Sequence, residues 1–482
     1  MKRSLYFTFL LAILFLFSTC KENFTTDSSY RLTYSTDSIN FDTILSHVLT
    51  PTRVVMIYNN TDKDINISEC SLSSNDNKFQ INLNGKTGKI FHDIDILSGD
   101  SLFLFVQFID KEPKQDEALY LEEYINIIYN GNHEKIILTS YSQDTYIIKD
   151  STITESTSWG NNKPYHIYDS LRIDENVTLT IQPGAKLYFH DAATVLVKGK
   201  LLCEGTVDNP ITFLGDRKDN IQWGEGKKTS YENINNQWGG IRFSNTSHDN
   251  KITYTNIRNG NFGIAIDSSE IDPNHLRLTI GNCRIDNVKQ SCLSACNANL
   301  YAYNTVFSYG SNGCVVLTGG IYTFNHCTMA SYNKSAGFYN YAVYLSDNDE
   351  DDLPINAIFN NCIIYGSGKK ELYFNYKNIT ENFQYQFNHC LIQYDIEKDV
   401  YDEIMTENHF TEIIWNENPL FLNERAFDFH IDTCSPARNK GFNELYTLYP
   451  ECLYDKDGKE RKVDEQPDLG AYVIFKETEE DD

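Results

Sequence analysis

The tetrapeptide Phe324-Asn325-His326-Cys327 has two near-copies further along the chain, Phe359-Asn360-Asn361-Cys362 and Phe387-Asn388-His389-Cys390. Three looser copies precede it, namely Tyr254-Thr255-Asn256-Ile257, Ile280-Gly281-Asn282-Cys283 and Tyr303-Asn304-Thr305-Val306. Their fourth residues stand at positions 257, 283, 306, 327, 362 and 390, which gives steps of 26, 23, 21, 35 and 28 residues. A repeat of about 20–30 residues that carries a short strand is typical of a solenoid.

The tetrapeptide also predicts how each coil turns. Asn and Gly tolerate left-handed backbone, so we expect the second position to bend the chain sharply between two strands. The residue before the bend and the residue two positions after it then point inward. The expected columns are aromatic (Tyr303, Phe324, Phe359, Phe387), small and apolar (Cys283, Val306, Cys327, Cys362, Cys390) and, two residues later, apolar again (Ile285, Met329, Ile364, Ile392). Stacked columns at a strand spacing of about 4.8 Å favour a parallel β-helix over unrelated antiparallel strands.

Composition excludes some functions. The chain has 482 residues, enough for two or three domains, and 41 basic against 67 acidic residues give it a net charge of −26. This balance argues against a nucleic acid partner, since phosphate binding needs basic surfaces. The 32 Tyr and 28 Phe, with only 4 Met, favour an all-β fold.

Residues 1–20 have the pattern of a targeting segment. Lys2 and Arg3 precede an apolar run, Leu5 to Phe17, that is short for a membrane span. The end of the run, Phe17-Ser18-Thr19-Cys20, resembles the cleavage box of bacterial lipoproteins. The resemblance implies cleavage before Cys20, acylation of its thiol and a lipid-anchored place at the outer membrane, facing the periplasm or the cell surface. An ordinary secretory signal is the alternative.

The first domain is expected to be a β-sandwich. Residues 21–29 form a polar tether, and residues 30–148 contain alternating stretches such as 53–58 and 102–108. The order of Tyr58-Asn59-Asn60-Thr61, Phe79-Gln80-Ile81 and Ile96-Leu97-Ser98-Gly99-Asp100-Ser101 resembles immunoglobulin-like domains of the abnormal-spindle type. The resemblance implies a spacer or adhesion module. Residues 149–163, rich in Ser, Thr, Gly and Asn, are predicted to be a linker.

Residues 164–400 are predicted to form the β-helix. Val177 to Ala185 alternates and turns at Pro183-Gly184, and Leu187-Tyr188-Phe189 and Val195 to Leu201 follow. This order resembles the entry coils of right-handed parallel β-helix repeat proteins of the pectate-lyase-like superfamily. The resemblance implies the fold and not an activity, because one fold hosts many functions.

A long insertion interrupts the coils at residues 330–355. It carries an acidic run of Asp347, Asp349, Glu350, Asp351 and Asp352. The spacing imitates the start of a calcium loop, but Asp352 stands where Gly is needed and Ile358 where Glu is needed. We therefore predict a solvated loop and no cofactor, with a weak Ca²⁺ site as the alternative.

The chain changes character after residue 400. Its phrases are Asp428-Phe429-His430-Ile431, Cys434-Ser435-Pro436-Ala437-Arg438-Asn439-Lys440-Gly441, Asp455-Lys456-Asp457-Gly458-Lys459-Glu460-Arg461 and Gln466-Pro467-Asp468-Leu469-Gly470-Ala471-Tyr472. They resemble the choice-of-anchor Q module that follows bacterial β-helices, with Val473 as a departure. We expect residues 401–475 to cap the open end of the solenoid and residues 476–482 to be an acidic tail.

Cysteine and histidine give no metal prediction. At least four cysteines lie in the inward column, where we expect free thiols and not a disulfide ladder. Cys292 and Cys296 are spaced like zinc ligands, but no second pair follows. His326 and His389 are expected to point outward in a solvated column.

Three functions stay open. The first is a lipid-anchored protein that binds polysaccharide or another envelope ligand without catalysis. The second is a polysaccharide lyase or glycoside hydrolase, for which the available groups are Asp267, Asp272, Asp286, Arg242, Arg258, Arg284 and Lys289. The third is an adhesive or structural role without a small ligand. A cleft with convergent Asp, Arg and Lys would favour the enzyme, and a flank of exposed aromatic rings would favour binding.

Overall fold

The computed structural model describes residues 23–113, 116–218, 220–222, 228–272, 274–332, 341–347, 353–376, 382–395, 407–461 and 466–474. The chain divides into two compact units, Met1–Asp144 and Thr145–Asp482. The predicted lipoprotein segment, with Cys20, lies outside the described residues. No helix in the described part of the chain is long and apolar enough to cross a membrane.

The first unit is a sandwich of two five-stranded sheets around one apolar core. One sheet contains, in spatial order, β1 (Thr33–Tyr34), β3 (Arg53–Tyr58), β8 (Ser101–Phe108), β5 (Phe79–Leu83) and β6 (Lys86–Gly88). The other contains β2 (Ser38–Leu45), β10 (Asn132–Gln143), β9 (Leu119–Tyr129), β4 (Ile65–Leu72) and β7 (Ile90–Ile96). Burial alternates along β8, as the period of two in its sequence requires.

The second unit is a parallel β-helix whose coils have three faces. Face A contains β13 (Tyr165–Ile173), β15 (Lys186–Phe189), β18 (Ile211–Gly215), β23 (Thr255–Arg258), β26 (Arg284–Val288), β29 (Val306–Gly310), β32 (Thr328–Ser331), β35 (Ile363–Gly366), β38 (Leu391–Ile392) and β40 (Ile414–Trp415). Face B begins with the second half of β13 and continues through β16 (Thr194–Val197), β21 (Gly240–Phe243), β24 (Ile264–Ile266), β27 (Leu293–Cys296), β30 (Val315–Thr318), β33 (Val343–Ser346) and β36 (Leu372–Asn375).

Face C contains β12 (Thr157–Trp159), β14 (Thr178–Ile181), β17 (Lys200–Glu204), β22 (Asn250–Thr253), β25 (Leu278–Gly281), β28 (Asn299–Tyr303), β31 (Gly320–Asn325), β34 (Ile355–Asn360), β37 (Phe383–Asn388) and β39 (Phe410–Thr411). Before these faces, β11 (Tyr146–Ile153) pairs with both halves of β13. The remaining elements are β19 (Asn220–Gln222), β20 (Lys228–Ser230), β41 (Phe421–Asn423), β42 (Asp428–Ile431), the short helix α1 (Leu445–Leu448) and the 3-10 turns Tyr231–Asn233, Glu407–His409, Glu424–Ala426 and Pro450–Leu453. The predicted all-β fold with a parallel β-helix is thus confirmed.

The bend between faces C and A lies one residue later than predicted. Left-handed backbone occurs at the third position of the tetrapeptide, with φ of 50° at His326, 53° at Asn361 and 49° at His389. The second-position asparagines form a ladder instead, because the amide of Asn360 donates to Asn325 at 2.9 Å and the amide of Asn388 donates to Asn360 at 2.9 Å. The ladder ties successive coils together beside the bend.

The inward columns are confirmed for the three close copies and corrected for an early one. Phe324, Phe359 and Phe387 are fully buried, with centroids 4.9 and 4.7 Å apart. Tyr303, however, pairs with Asn325, so Ala302 holds the aromatic position in its coil. Val306 pairs with Thr328 on the outer side, and Thr305 takes the cysteine position. Asn304, with a φ of 45°, is therefore structurally equivalent to His326 at the bend and not to Asn325.

The boundaries of the β-helix also differ from the prediction. Most of β11 and all of β12 lie within residues 149–163, the predicted linker, and β12 pairs with β14. Polar composition was misleading there because much of β11 is exposed. At the other end, β39 and β40 continue the ladders of faces C and A beyond residue 400.

Residues 419–461 and 466–474, here called the cover, lie along face A. Phe429, Ala471 and Tyr472 pack on the outer side of Val306 and Ala330. In a second cluster, Ile431, Ala437 and Leu469 pack on Ile363 and Leu391. The predicted position over the open end is therefore wrong for the described residues of the cover. The cause is that several outward residues in the later coils of face A, namely Val306, Ala330, Ile363 and Leu391, are apolar and need a second layer.

Buried polar groups fix the cover to the coils. Arg461 is fully buried and donates to Asn304 at 3.2 Å and to the carbonyl of Gly470 at 3.0 Å. The carboxylate of Asp455 accepts from the backbone of Lys459 and of Val473. The charged residues in this part of the sequence thus satisfy backbone and amide groups inside the cover.

Candidate functional site

The structure brings three of the seven candidate catalytic residues together, with the carboxylate buried and the two guanidinium groups partly exposed. Asp286 has no exposed surface and pairs with Arg258 at 2.6 Å and with Arg284. The ring of Phe427, from the cover, lies over both guanidinium groups at 4.9 and 5.4 Å. The cluster therefore joins face A to the cover and leaves no room for a substrate.

The other four candidate catalytic residues lie apart from this cluster. Arg242 pairs with Asp267 at 2.8 Å on the outside of face B. The carboxylate of Asp272 accepts from the backbone of Asn274 in a turn, and Lys289 is exposed. In the described part of the chain these residues form no cleft of convergent acid and base groups.

The predicted solvated histidine column is wrong. His326 has no exposed surface, and its ring stacks on Tyr446 of the cover with centroids 5.9 Å apart. Burial holds the pKa of His326 well below its ordinary value, and the nearby charge of Arg461 lowers it further. His389 is partly exposed and lies 3.0 Å from the carbonyl of Lys440.

The acidic loop falls mostly outside the described residues. Asp347 is described, and it is buried, with 4% of its surface exposed. Its carbonyl accepts from the backbone of Leu353 at 2.9 Å, which closes the base of the loop. Asp347 is therefore a part of the coil and not of a solvated loop.

The cysteines are free thiols in the described part of the chain, and nine of the eleven are buried. Burial raises the pKa of the thiols of Cys362 and Cys390 well above the ordinary value. Cys292 is buried and Cys296 is partly buried.

An outer surface with several tyrosines lies at the corner between faces A and B in the late coils. On face B, Tyr344 and Tyr373 are paired neighbours whose rings stack at 5.3 Å. The ring of Tyr341 also stacks on that of Tyr373, with centroids 4.7 Å apart. Tyr373 is 38% exposed, so the stack presents aromatic faces to solvent.

A groove of about 470 Å³ lies on the face A side of the same late coils. Tyr332 and Tyr365 form its floor on the side of face A. The opposite wall consists of Asn418, Leu420, Phe421, Leu422, Glu424 and Asp432, from the chain that leads into the cover and from the cover itself. The groove and the tyrosine stack together are called the tyrosine corner below.

A buried carboxyl group holds the turn of the tyrosine corner. Glu371 has no exposed surface and accepts from the backbone of Gly368 at 2.8 Å and of Ala342 at 3.0 Å. Burial raises the pKa of Glu371 to about 8, and the two backbone hydrogen bonds oppose this rise. Because both oxygens point into the turn, Glu371 positions the tyrosines and cannot reach a ligand.

Two groups of side chains have the composition of a metal site. His166, His190 and Asp216 lie on the early coils of face A, and His248, Asp249 and His275 lie at an exposed position. Burial raises the pKa of the Asp216 carboxyl, but the hydrogen bonds from His166 and His190 outweigh it, so the pKa lies below its ordinary value.

Sequence reasoning missed both the tyrosine corner and the two histidine groups. Tyr344 and Tyr373 are separated by an insertion, so no fixed period links them. His166, His190 and Asp216 do carry a signal, because their steps of 24 and 26 residues match the length of a coil. The pairing of Ile167 with Phe189 and of Phe189 with Gly215 places the adjacent residues on one corner.

Comparison with known proteins adds little. No protein-family model and no curated protein matches the chain. Among solved structures, the catalytic domain of a GH87 alpha-1,3-glucanase in complex with tetrasaccharides matches 71% of this chain and 82% of its own at 10% identity, with a TM-score of 0.25. A PapD-like domain of human CEP192 matches 24% of this chain and 85% of its own at 11% identity, with a TM-score of 0.16.

A family 123 glycoside hydrolase from Clostridium perfringens matches 24% of this chain at 8% identity, with a TM-score of 0.17. The match spans only 26% of that structure. Likenesses at these scores assign neither an activity nor a site to this chain.

Proposed function

We propose that this protein is a lipid-anchored component of the bacterial cell envelope that binds polysaccharide at the tyrosine corner without cleaving it. The observation that carries the proposal is the stack of Tyr341, Tyr373 and Tyr344 beside a groove floored by Tyr332 and Tyr365. Tyrosine combines a flat apolar face with a polar tip, which suits the C–H faces and hydroxyl groups of sugar rings. The groove volume is also in the range of ordinary ligand sites.

Glu371 and Asp286 cannot serve as catalytic carboxyl groups, because neither is accessible to a substrate. A glycosidase needs two carboxyl groups about 5–9.5 Å apart on either side of an accessible bond. The side chains of Glu371 and Asp286 have no exposed surface. Glu424 and Asp432 line the groove from the cover, where they can accept hydrogen bonds from sugar hydroxyls.

Binding is tested with the full chain in detergent on a panel of neutral and acidic polysaccharides. We expect retardation in affinity electrophoresis by at least one of them, and a loss of about tenfold in affinity for Tyr373→Ala and for Tyr365→Ala. The matched control is Tyr120→Ala, which removes a tyrosine that is 47% exposed in the sandwich. No retardation, or equal losses in the control, would contradict the proposal.

Catalysis is tested on the same panel by the release of reducing ends and of unsaturated products. We expect neither. Release by the wild type that Tyr373→Ala abolishes would make the tyrosine corner an active site, and a protein that binds no polysaccharide would support an adhesive role.

The anchor is tested separately. Cys20→Ala should move the protein from the membrane fraction to the soluble fraction, or stop its processing, because several acyl chains bind a membrane far more strongly than one. Unchanged fractionation with normal processing would refute the anchor. In the proposed lipid-anchored protein, the sandwich serves as a spacer module.

A further inference from the structure

We propose that His166, His190 and Asp216 form a binding site for a divalent transition metal of the zinc class. Nε2 of His166 lies 3.0 Å from Oδ2 of Asp216, and Nδ1 of His190 lies 2.6 Å from the same oxygen. The three ligand atoms lie within 4.8 Å of one another. Two imidazoles and one carboxylate are a common ligand set for Zn²⁺, with a fourth position left for water.

The positions of the three side chains come from the regular part of the fold. His166 lies in β13, where it pairs with Tyr188, and His190 and Asp216 directly follow β15 and β18 in the next two coils of face A. The backbone of His190 donates to Ile167 at 2.9 Å, and that of Asp216 donates to Phe189 at 3.0 Å. Ligands carried by paired strands hold their spacing better than ligands on loops.

The distances need only a small opening to accept the ion. With Zn–N and Zn–O bonds of about 2.0–2.2 Å, two ligands of a tetrahedral site lie roughly 3.3 Å apart. The observed hydrogen-bond distances of 3.0 and 2.6 Å are shorter by less than about 1 Å. Rotation of the exposed His190 ring supplies this movement, since half of its side chain faces solvent.

The surroundings favour a bound cation over a simple hydrogen-bonded cluster. His166 has no exposed surface, so water does not compete with a cation for its Nε2. The Asp216 side chain is only 7% exposed, so its charge is weakly screened by water. Half-exposed His190 leaves one side open for entry of the ion and for a water ligand.

The second histidine group provides a matched control within the same chain. His248, Asp249 and His275 have side chains that are 56%, 33% and 50% exposed. Lys200 also pairs with Asp249 at 3.6 Å and neutralises part of its charge. Solvation and this ammonium group weaken the attraction for a cation, so we expect no comparable affinity there.

The experiment is isothermal titration of the tag-free, metal-free full chain with ZnCl₂ in detergent. We expect one strongly bound Zn²⁺ per chain, little affinity for Ca²⁺, which prefers six to eight oxygen ligands, and a rise in Tm on zinc addition. His190→Ala should weaken zinc binding about a hundredfold, while His275→Ala should leave it within about twofold. Replacement of Zn²⁺ by Co²⁺ provides a visible absorption band that the His190→Ala variant lacks.

The outcomes separate cleanly. His190→Ala should keep the Tm of the metal-free protein, because the side chain is half exposed; if it does not, Asp216→Asn is titrated instead and should also weaken binding. A wild type that binds no zinc, an unchanged affinity in His190→Ala, or a loss in His275→Ala alone would each overturn the proposal. None of these results depends on polysaccharide binding.

Discussion

Faces A and B share an inward architecture and differ on the outside. Their inward columns are apolar and closed in both cases. The outward column of face B, from Leu196 and Arg242 to Tyr344 and Tyr373, remains at least partly exposed to solvent. On face A the corresponding residues of the later coils are buried under the cover.

The difference between the two faces shows what inward and outward columns of residues each indicate about the structure. Inward columns identify the solenoid, because every coil must fill the same core. Outward columns identify what lies against the coil. Cys362-Ile363-Ile364 and Cys390-Leu391-Ile392 place two apolar residues in succession, and a strand can turn only one of them inward. Such a doublet predicts a second layer on the outside.

The largest effect is expected where the two faces are alike. Cys362→Asp places an unpaired charge in the closed interior, and we expect it to cost several kcal/mol and to prevent folding at 37 °C. Circular dichroism and thermal melting measure the loss. Cys434→Asp is the control, since Cys434 is exposed and its variant should melt like the wild type. Equal behaviour of the two variants would contradict the inward column.

The second test addresses the difference between the faces directly. Ile363→Ser removes an outward residue that the cover buries, and we expect a loss of about 2–4 kcal/mol in the free energy of unfolding. Val316→Ser changes an outward residue of face B that remains partly exposed, and should cost less than about 1 kcal/mol. Urea unfolding compares them. Similar losses in both would mean that the cover adds no stability to face A.

The third test concerns the tyrosine corner. The folded-state pKa of Glu371 is raised from 4.5 to about 8, so the folded chain holds a proton that the unfolded chain releases above pH 4.5. Stability from this group is therefore lost as pH rises from about 4.5 to about 8. In Glu371→Gln the Tm should fall less steeply over that range. Parallel curves for the two proteins would show that Glu371 is ionised in the fold.

The fourth test has the opposite sign and concerns the covered bend of face A. Burial lowers the folded-state pKa of His326, whereas the unfolded chain takes up a proton below about pH 6.5. Stability is present above pH 6.5 and is lost as pH falls below it. His326→Asn introduces the residue found at the same bend as Asn304 and Asn361. The Tm of this variant should fall less than that of the wild type between pH 6.5 and 5. A steeper loss in the variant would contradict burial under the cover.

The smallest effect is expected at the acidic loop. Asp349→Asn combined with Asp351→Asn should leave Tm and polysaccharide affinity unchanged, with or without calcium, because the sequence predicts a solvated loop and water screens charges in such a loop. Affinity that calcium enhances in the wild type alone would make the loop part of the binding site. Asp347 is left intact, since it is buried in the coil.

The coils could be predicted from the sequence because each coil places the same kinds of side chain at the same positions of the core. Phe324, Phe359 and Phe387 recur at the place where a ring must fill the corner of the coil. The bend was predicted one residue too early because Asn360 and Asn361 are adjacent, and an asparagine tolerates left-handed backbone at either position. The position of the cover could not be predicted, since contacts such as that of Tyr301 with Glu451 join residues far apart in the chain and follow no period.

The candidate sites were harder to predict for the same reason. Tyr344 and Tyr373 meet through the register of β33 and β36, and the intervening insertion hides their common position. The groove needs Tyr332 and Tyr365 from the coils and Phe421 from the cover. Residues that meet only through tertiary packing leave no local pattern to detect.

The order of the cover in the chain has a consequence for biosynthesis. Val306 is made about 165 residues before Ala471, its partner in the cover. At about 5–20 residues per second, roughly 8–33 s pass between the emergence of the two. During that interval the outward apolar residues of face A, such as Val306 and Ile363, are not covered. A newly made chain therefore exposes an apolar surface until the cover has been synthesised. Truncation near the C-terminus therefore leaves intact coils with an exposed apolar stripe, and we expect such a product to aggregate or to be degraded.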